Sequence, residues 1–367
     1  MTNRHVPNRE CRDPVHGFVR LSKAEWAVVD CPTFQRLRDI RQLAMAHLVY
    51  PGATHTRFEH SLGTLYLSDR IFEAIKQQVD ADNCPNFAHA FRADEKQIHH
   101  GKSILRLAGL LHDLGHSPFS HSGENLMPCE KIDGKNRKVE HEDMTARLVR
   151  ETEIADVLTG QFGCESLEEV IAVATKPELA KLPSGSNMDW YRFLNDILAG
   201  ELGSDRMDYL LRDALHSGQQ VGLFDHLKLI DSMTIVPPPQ ESETHFRLGL
   251  NEAGWLIGEQ MVACRYLMYV ALYFHKTKRI YEKHLEDFLA AWLTERYRKP
   301  FFPTSDPNEY ARLTDSTVWS AIYSHALAGE GSLRALARPF VDRSHFRLAR
   351  ELILADNCEK PEPESVT

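Results

Sequence analysis

The sequence predicts a mainly α-helical protein with small β-hairpins. In most segments apolar residues recur at intervals of three and four, which is the period of an amphipathic helix. Two segments, 12–21 and 234–250, instead place turn residues between short β-type runs, and the second contains three consecutive prolines. The helical pattern resumes over 251–298, which predicts a C-terminal helical extension of two helices.

The composition is that of an ordinary globular protein. With 367 residues, of which 43% are hydrophobic and 26% charged, the chain can form one large domain or two. The formal net charge of -9 argues against broad binding to nucleic acid or anionic membrane, although a local basic pocket remains possible. The seven cysteines form no CxxC pair, which predicts reduced thiols and a cytoplasmic location. Neither a signal peptide nor a run of transmembrane length is visible, so we expect no membrane partner.

We divide the chain into four parts. Residues 1–233 are expected to form an N-terminal arm and the catalytic core, and residues 234–250 a β-hairpin. Residues 251–355 should form a helical region that completes a nucleotide pocket and offers an oligomer interface. The polar tail 356–367 is predicted to be disordered.

The first elements follow from local signals. Ser22 is a good N-cap for a helix over 23–30, and Pro32 predicts a second helix that runs to Leu43. Phe34, Leu37, Ile40 and Leu43 form its apolar stripe, and its arginines are expected to be solvated. The other expectations for this third of the chain are a loose arm at 1–12, a turn at Pro51-Gly52, a helix at 65–79 and a polar surface loop at 80–101.

The later elements are predicted in the same way. A loop at 128–139 precedes a helix that opens at Glu140, and Ser166 is the expected N-cap of a helix to residue 175. The remaining expectations are a loop over a pocket at 181–188, helices at 190–198 and 203–213, a helical continuation to 230 broken at Gly218, and shorter helices over 303–355.

The chain is organised around residues 105–124, LRLAGLLHDLGHSPFSHSGE. An apolar helical run carries His112 and Asp113 out of the core, and burying both costs several kcal/mol unless a partner such as a metal ion pairs with them. His116 follows four residues later, so we expect it on the same helix face, with His121 and Glu124 folding back after Pro118. The alternative is a capped, solvated helix end. A metalloprotease helix is disfavoured, because HExxH has a glutamate where this chain has aspartate.

Other polar side chains recur at helical spacing elsewhere. Arg57 and His60 are three residues apart and face together, and Arg57 suits phosphate binding. His141 is either a polar residue at a helix start or a partner of Glu124 or His116. Two further sets are open to both an ion-pairing or packing role and a ligand role: Asp205, Asp208, Tyr209, Arg212 and Asp213; and Arg265, Tyr266, Tyr269, Tyr273, His275, Lys276 and Lys278.

The set of His60, His112-Asp113 and Asp205 resembles that of the HD-domain metal-dependent phosphohydrolases. The motifs DPVHGF, FQRLRDIRQL, YPGATHTRFEHSLG, LLHDLGHSPFSH and SDRMDYLLRD occur in the order typical of deoxynucleoside triphosphate triphosphohydrolases. The resemblance spans about residues 12–285. It implies an HD-domain helical bundle with a C-terminal helical extension.

The resemblance also implies roles for individual residues. The implied metal ligands are His60, His112, Asp113 and Asp205. The implied catalytic group consists of His116, Glu124, His141 and His121. The implied substrate contacts are Gln42, Leu43, Arg57, Arg206, Tyr209, Asp213, Arg265, Tyr269, Tyr273 and Lys276. Two nitrogen and two carboxylate ligands with open positions suit Mn²⁺, Mg²⁺, Fe²⁺ or a similar octahedral ion, with Zn²⁺ and Ni²⁺ not excluded as the ion.

The implied activity is hydrolysis of dNTPs to a deoxynucleoside and inorganic triphosphate, by water attack at the α-phosphate. Family habit further implies a homo-oligomer, a dimer or higher, and allows a regulatory nucleotide. Two alternatives remain open. One is another HD-type nucleotide phosphohydrolase, such as a nucleotidase, a phosphodiesterase or an alarmone hydrolase. The other is a nucleotide-sensing protein with little turnover.

Overall fold

The fold is mainly α-helical, as the sequence predicts. In this computed structural model the described residues are 9–78, 85–132, 134–238, 245–328 and 330–347. Within them lie sixteen α-helices, several short 3-10 turns and three two-stranded antiparallel sheets. No helix of the described residues combines the length and the hydropathy needed to cross a bilayer.

The helices and strands have the following bounds. The helices are α1 Lys23–Val29, α2 Pro32–Gln35, α3 Arg57–Lys76, α4 Phe87–Phe91, α5 Glu95–Leu111, α6 His141–Glu151, α7 Glu153–Phe162, α8 Ser166–Ala174, α9 Met188–Ala199, α10 Ser204–Ser217, α11 His226–Asp231, α12 Trp255–Met268, α13 Lys276–Tyr297, α14 Pro307–Ala311, α15 Asp315–Ala328 and α16 Gly331–Val341. The strands are β1 Arg9–Asp13, β2 Gly17–Leu21, β3 Cys129–Ile132, β4 Lys135–Lys138, β5 Met233–Val236 and β6 Arg247–Leu250.

The core lies between α3, α5, α8, α9 and α10. Helix α3 packs against both α5 and α10, and α5 also packs against α8. Leu65, Leu107 and Leu210 from three of these helices are completely buried, and each such side chain contributes about 2 kcal/mol. This packing fixes the relative positions of the three helices that carry the candidate site.

The N-terminal hairpin is longer than the sequence suggests. Strand β1 begins at Arg9 and pairs with β2 in antiparallel register, with Cys11 opposite Val19. Part of the expected loose arm is therefore strand, and residues 1–8 lie outside the described part of the chain. The strands are anchored because Val19 and Leu21 are completely buried. In the turn, Oδ1 of Asp13 accepts hydrogen bonds from the backbone N–H groups of Val15 and His16.

The predicted long helix from Pro32 to Leu43 is wrong. Helix α2 ends at Gln35, a 3-10 turn follows, and Ile40 is extended. The turn is stabilised by Arg36, which is buried and donates to the carbonyl oxygens of Leu313 at 3.2 Å, Leu114 at 3.1 Å and His116 at 2.7 Å. The helical spacing of the sequence cannot reveal this buried contact, because an arginine in such a pattern is expected to face solvent.

Three further local predictions are corrected. The polar stretch 80–101 contains α4 and the start of α5, where Asp94 and Gln97 form a capping box; residues 79–84 lie outside the described part. The stretch 128–139 is the β3–β4 hairpin and not a loop. Glu165 precedes α8 as its N-cap, while Ser166 lies inside the helix and donates to the carbonyl oxygen of Phe162 at 2.8 Å.

Most other elements are confirmed. Ser22 caps α1 with a complete capping box, and the expected hairpin after α11 is β5–β6. Gly218 ends α10 in a left-handed conformation, so the helical continuation is interrupted as predicted. The region 251–298 contains two helices joined by a π-helical turn at Tyr269–Tyr273. The five cysteines among the described residues are free thiols, and the tail 356–367 lies outside those residues.

Candidate active site

Four side chains from three separate segments meet at one point, which we call the first centre. His60 comes from α3, His112 and Asp113 directly follow α5, and Asp205 lies in the first turn of α10. Nε2 of His60 is 3.0 Å from Asp205 Oδ1, 3.4 Å from Asp113 Oδ2 and 3.3 Å from Nε2 of His112. Nε2 of His112 is 3.5 Å from Asp113 Oδ1 and 3.7 Å from Asp205 Oδ1. The structure thus brings together all four predicted metal ligands.

The imidazole rings of this centre are oriented by their outer nitrogens. Nδ1 of His60 is 2.8 Å from Oδ2 of Asp208, and Nδ1 of His112 is 3.0 Å from the carbonyl oxygen of Gly109. Because both acceptors require an N–H, we assign the proton to Nδ1 in each ring, which turns the Nε2 lone pairs toward each other. A cation between these lone pairs and two carboxylates would remove their repulsion. The donor set therefore fits a divalent metal ion.

The charges of the side chains at the first centre also favour a bound cation. Burial opposes a charge on His60, but hydrogen bonds with Asp205 and Asp208 outweigh it and raise the pKa of His60 to about 10, so without an ion a second proton on this imidazole takes the place of the cation between Nε2 and the carboxylates. Burial also opposes charge on the two carboxylates. Nevertheless, Arg57 and the nearby histidines hold the pKa of Asp113 well below its usual value, and hydrogen bonds with His112 and His60 lower the pKa of Asp205. Two ionised carboxylates, one buried at Asp113 and one partly buried at Asp205, are a strong attraction for a cation.

A buried hydrogen-bond network behind the centre holds His60 in place. Asp208 accepts from Nε2 of His16 at 2.6 Å and from Arg212 at 2.8 and 2.9 Å, and Arg212 also donates to Asp13 at 2.8 Å. The ion pair of Asp208 with Arg212 was expected, whereas the roles of His16 and Asp13 were not. A Cβ at Gly63 would collide with Oδ1 of Asp208, so α3 and α10 can approach this closely only with glycine there.

A second group, here called the histidine cluster, consists of His116, His121, Glu124 and His141. Each offers a nitrogen or carboxylate oxygen, and these four atoms lie within 4.8 Å of one another. The rings of His116 and His141 stack with centroids 4.0 Å apart. The structure brings together the whole predicted catalytic group.

The route by which His116 reaches this group differs from the prediction. Helix α5 ends at Leu111, so His116 does not share a helix face with His112 but follows a turn. A Cβ at Gly115 would collide with the carbonyl oxygen of His141, which shows how closely α6 packs on that turn. Nε2 of His116 lies 3.2 Å from Oδ1 of Asp113, so the histidine cluster adjoins the first centre.

The stacked histidines have opposite proton affinities. Burial, together with the charges of Arg57 and His141, lowers the pKa of His116 to about 3. Burial also acts against a charge on His141, but the hydrogen bond with Glu124 outweighs it and raises the pKa of His141. Partial burial favours the neutral form of Glu124, which is about a quarter exposed, yet the three imidazoles around it keep its pKa below its usual value. One ring can therefore accept a proton while the other holds one.

A cavity of about 390 Å³ has His121 of the histidine cluster on its wall and adjoins the first centre through Arg57, which donates to Asp113; its volume is within the usual range for small-molecule sites. Seven of the ten predicted substrate residues line it: Gln42, Leu43, Arg57, Tyr209, Asp213, Tyr269 and Tyr273. The wall also contains residues that were not predicted, among them Ser120, Asn125, Lys278, Arg279 and Lys283. The cavity wall thus combines aromatic rings with cationic groups, and it also contains Glu282 and Glu286, which pair with Lys278 and Lys283.

The other three predicted substrate residues lie outside this lining. Arg206 and Arg265 both form ion pairs with Glu201, the latter at 2.9 Å. Lys276 is exposed at the start of α13, whereas Lys278 is buried and faces the cavity. The resemblance implied Lys276, but a π-helical turn at Tyr269–Tyr273 precedes α13, and Lys278 is the lysine that lines the cavity.

Arg57 and Asp213, each with two polar contacts, connect the cavity to the residues around it. Arg57 donates to Asp113 of the first centre and, at 2.8 Å, to Oγ of Ser120. At the aromatic side, Asp213 accepts from the hydroxyl of Tyr273 at 2.7 Å and lies 2.8 Å from Nε2 of His55. Both pairs are buried or half-buried, so the side chains that face the cavity are held in defined positions.

The loop between His116 and His121 has a strained backbone. Phe119 and Ser120 have φ values of 60° and 55°, in the left-handed region that non-glycine residues rarely adopt. Asp315 at the start of α15 accepts from the backbone N–H of Phe119 at 2.7 Å and of Arg41 at 3.0 Å. Oγ of Ser120 donates to the carbonyl oxygen of Arg41 at 2.7 Å. The C-terminal helices therefore hold this loop in place.

Comparison with known proteins identifies the family. Residues 57–213, which contain every member of the first centre and the histidine cluster, match the HD domain. A solved structure, that of a hypothetical protein from Aquifex aeolicus, is 35% identical and superposes with a TM-score of 0.71, covering 93% of this chain and 77% of that one. The chain belongs to the HD-domain phosphohydrolase family.

Two curated relatives illustrate how far the likeness extends. An uncharacterised protein of Methanocaldococcus jannaschii is 31% identical over 269 residues, which are 73% of this chain and 46% of that protein. A SAMHD1 homologue of Dictyostelium discoideum, named as a deoxynucleoside triphosphate triphosphohydrolase, is 26% identical over 349 residues, or 94% of this chain and 60% of that protein. This HD-domain chain thus spans about half the length of the curated relatives it matches.

Proposed function

We propose that this HD-domain protein hydrolyses deoxynucleoside triphosphates to a deoxynucleoside and inorganic triphosphate in a metal-dependent reaction. The observation that carries the proposal is the convergence of His60, His112, Asp113 and Asp205 beside a cavity with aromatic and cationic walls. The SAMHD1 relative, named as a dNTP triphosphohydrolase, supports the choice of substrate.

The four residues of the first centre would hold one divalent ion. Two imidazole nitrogens and two carboxylates suit Mn²⁺, Mg²⁺ or Fe²⁺, and we propose an ion of this kind. When bound, the ion would neutralise developing charge on the α-phosphate and acidify the attacking water. Arg57, which contacts Asp113, would grip the phosphates from the cavity side.

The histidine cluster would move the protons. His116, kept neutral by burial, is the imidazole of this cluster nearest the first centre, with Nε2 3.2 Å from Oδ1 of Asp113, and would relay the proton released by the attacking water. His141, whose pKa is raised, can supply one to the 5′-oxygen of the leaving deoxynucleoside. Glu124 lies within 3.3 Å of both Nδ1 atoms and would orient the two rings, while His121 lies on the cavity wall.

The aromatic side of the cavity would read the sugar and the base. Tyr209 would pack beneath the deoxyribose, where a packed ring leaves little room for a 2′-hydroxyl. Asp213, fixed by Tyr273 and His55, retains lone pairs for the 3′-hydroxyl. Gln42 and Leu43 would lie near the base or sugar.

The cationic side would receive the triphosphate. We add Lys278 to the phosphate contacts, because it faces the cavity and Lys276 does not. For Arg206 and Arg265, a phosphate role requires release from Glu201, and both remain proposals.

We also propose a homo-oligomer of a cytoplasmic protein. Helix α12 and the turn after it expose large apolar side chains, each more than half accessible: Trp255, Leu256, Val262, Tyr266 and Val270. Patches of this kind are typical of protein interfaces. Light scattering should therefore give a dimer or a higher assembly, and Leu256→Glu together with Tyr266→Glu should shift it to the monomer. A regulatory nucleotide would be detected as a change in dNTP turnover on adding a second nucleotide.

Product analysis tests the activity. The protein is incubated with Mn²⁺ and, separately, dGTP, GTP, dGMP and a cyclic nucleotide, and the products are separated by ion exchange. Release of inorganic triphosphate from dGTP, with GTP and the other compounds intact, is the expected result. His112→Ala and Asp113→Ala should abolish it, whereas Lys276→Ala should leave it intact.

The alternative activities give different products. Phosphate from dGMP indicates a nucleotidase, and cleavage of the cyclic nucleotide indicates a phosphodiesterase. Nucleotide binding without turnover indicates a sensor. Unchanged turnover in His112→Ala would place the reaction elsewhere on the chain.

A further inference from the structure

The histidine cluster has the composition of a metal site in its own right. Three imidazoles surround one carboxylate: Nδ1 of His141 is 2.9 Å from Oε1 of Glu124, Nδ1 of His116 is 3.3 Å from the same oxygen, and Nδ1 of His121 is 3.1 Å from Oε2. In a tetrahedral zinc site with Zn–N near 2.0–2.1 Å, neighbouring ligand atoms are about 3.3 Å apart. The three separations from Glu124 are close to that spacing, and one ligand atom from each of the four residues lies within 4.8 Å of the others.

The close atoms of this cluster are not all paired with each other. Nδ1 of His116 and Oε1 of Glu124 are both buried and, within the described residues, neither makes a hydrogen bond of acceptable geometry. The His116 side chain is only 2% exposed and is aimed into the cluster. Buried polar atoms are nearly always satisfied. Lone pairs that converge without a hydrogen between them are arranged as they would be around a shared cation.

We propose that His116, His121, Glu124 and His141 form a second cation site, which prefers Zn²⁺ and similar borderline ions. Three nitrogens and one carboxylate oxygen are the ligand types that zinc takes in four-coordinate sites. The first centre, with two nitrogens and two carboxylates, is better suited to an octahedral ion. The two sites differ in ligand chemistry and can therefore be loaded separately.

The exposure of the four residues provides an entry route. The side chain of His121 is 70% exposed and lines the cavity, while those of Glu124 and His141 are about a quarter exposed. His116 at the bottom of the cluster is buried. An ion would thus arrive from the cavity, bind His121 first and settle between the other three.

Occupation of this site has a consequence for turnover, which rests on the proposed function. The lone pairs that bind the ion belong to the side chains that would orient and transfer protons. With the ion in place, His141 no longer holds a proton and Glu124 no longer orients the rings. Excess Zn²⁺ should therefore inhibit hydrolysis even when the first centre is saturated with Mn²⁺.

Counting bound ions tests the site without any activity measurement. The full-length, metal-free protein is titrated with Zn²⁺ in competition with a chromophoric chelator. We expect two ions per chain for the wild type and one for His121→Ala. The affinity for the second ion should fall by at least about 100-fold, because loss of even an outer partner of a ligand costs 10–100-fold. Co²⁺ in this site should show the strong visible absorption of a four-coordinate ion, and His121→Ala should lack it.

Two controls keep the count interpretable. His99→Ala removes an exposed imidazole outside the cluster and should retain two ions. Glu124→Gln should behave like His121→Ala, and the thermal unfolding of each metal-free variant shows whether it is folded. One ion per chain in the wild type overturns the proposal, as does a second ion held with unchanged affinity by both folded cluster variants.

Turnover measurements then separate the two proposals. If the second Zn²⁺ binds in step with loss of dNTP hydrolysis, both stand. If it binds and hydrolysis continues undiminished, the inhibitory consequence is wrong. If two ions bind but no nucleotide is hydrolysed under any condition, the proposed function fails while the second cation site stands.

Discussion

Asp315 offers a sharp test of how the catalytic loop is held. It lies on α15, far along the chain from the site, yet its carboxylate accepts the backbone N–H groups of Phe119 and Arg41. Phe119 and Ser120 are both left-handed, and Ser120 in turn receives a hydrogen bond from Arg57. We predict that Asp315→Ala lowers kcat while leaving metal binding intact, because none of these contacts involves the first centre directly except through Arg57.

The size of the expected loss of kcat follows from two opposing free-energy contributions to the loop, its backbone strain and its hydrogen bonds to Asp315. A non-glycine residue in the left-handed region costs about 1–3 kcal/mol, so Phe119 and Ser120 together cost about 2–6 kcal/mol. Burial raises the pKa of Asp315 to about 7, so the carboxylate is fully ionised only above that pH; there a hydrogen bond to it contributes about 1.5–3 kcal/mol, and the two bonds about 3–6 kcal/mol. The terms are comparable, and removing the carboxylate allows the loop to relax. A displacement of about 1 Å near the reacting groups can cost about 100-fold in rate.

Steady-state kinetics and metal titration together measure this effect. For Asp315→Ala we expect kcat to fall about 100-fold, with Zn²⁺ or Mn²⁺ affinity at the first centre within about twofold of the wild type. Asp306→Ala is the matched control, since Asp306 caps α14 nearby but does not touch the loop. It should lose about 1 kcal/mol of stability and no activity. A folded Asp315→Ala protein with wild-type kcat would refute the reasoning, as would one whose only defect is lost metal affinity.

Three other predictions concern the cavity, the surface and the metal. Lys278→Gln should raise KM for a dNTP about tenfold, whereas Lys276→Gln should not change it, since an ionic contact to phosphate is worth about 1.5 kcal/mol or more; equal KM values would contradict the assignment. His100 bonds Glu169 at 2.6 Å, which raises the pKa of His100, so the pair stabilises the fold below pH 6.5 and loses this as pH rises through the raised value. The free energies of unfolding in urea of the wild type and of His100→Gln should therefore differ at pH 5.5, by at most about 1 kcal/mol because the ring is nearly half exposed. At high pH the two values should converge. Adding Mn²⁺ at 100 times its Kd to chelator-treated protein should raise the free energy of unfolding by about 2.7 kcal/mol, and Asp205→Ala should show no such gain.

Local chemistry in the sequence was enough to predict much of the site. A histidine and an aspartate at the end of an apolar helical run cannot be buried alone, and this points to an ion at His112 and Asp113. The capping serine of α1 and the glycine that ends α10 also act within a few residues. The assignment of distant residues such as His60 and Asp205 to the same site came from motif resemblance and not from spacing.

The errors came where tertiary contacts override local pattern. The expected helix after Pro32 is broken because Arg36 finds three carbonyl oxygens contributed by later segments. The first turns of α5 are polar on nearly every side, so periodicity alone could not separate them from a loop. Lys276 came from the motif resemblance, which does not register the π-helical turn that precedes α13 and so could not indicate that Lys278 lines the cavity.

The hairpin at the beginning of the chain limits how this protein can be cut or grafted. The stretch that matches the HD domain starts at Arg57, but His16 and Asp13, which brace Asp208 and Arg212, come from β1, β2 and their turn. A fusion partner built from residues 57–213 alone would contain His60 and His112 but would not fix the orientation of His60. Asp208, which accepts from His60, would have lost its contact with His16, and Arg212 its contact with Asp13. A transplantable module therefore has to include the leading hairpin, which lies outside the boundaries by which the family is recognised.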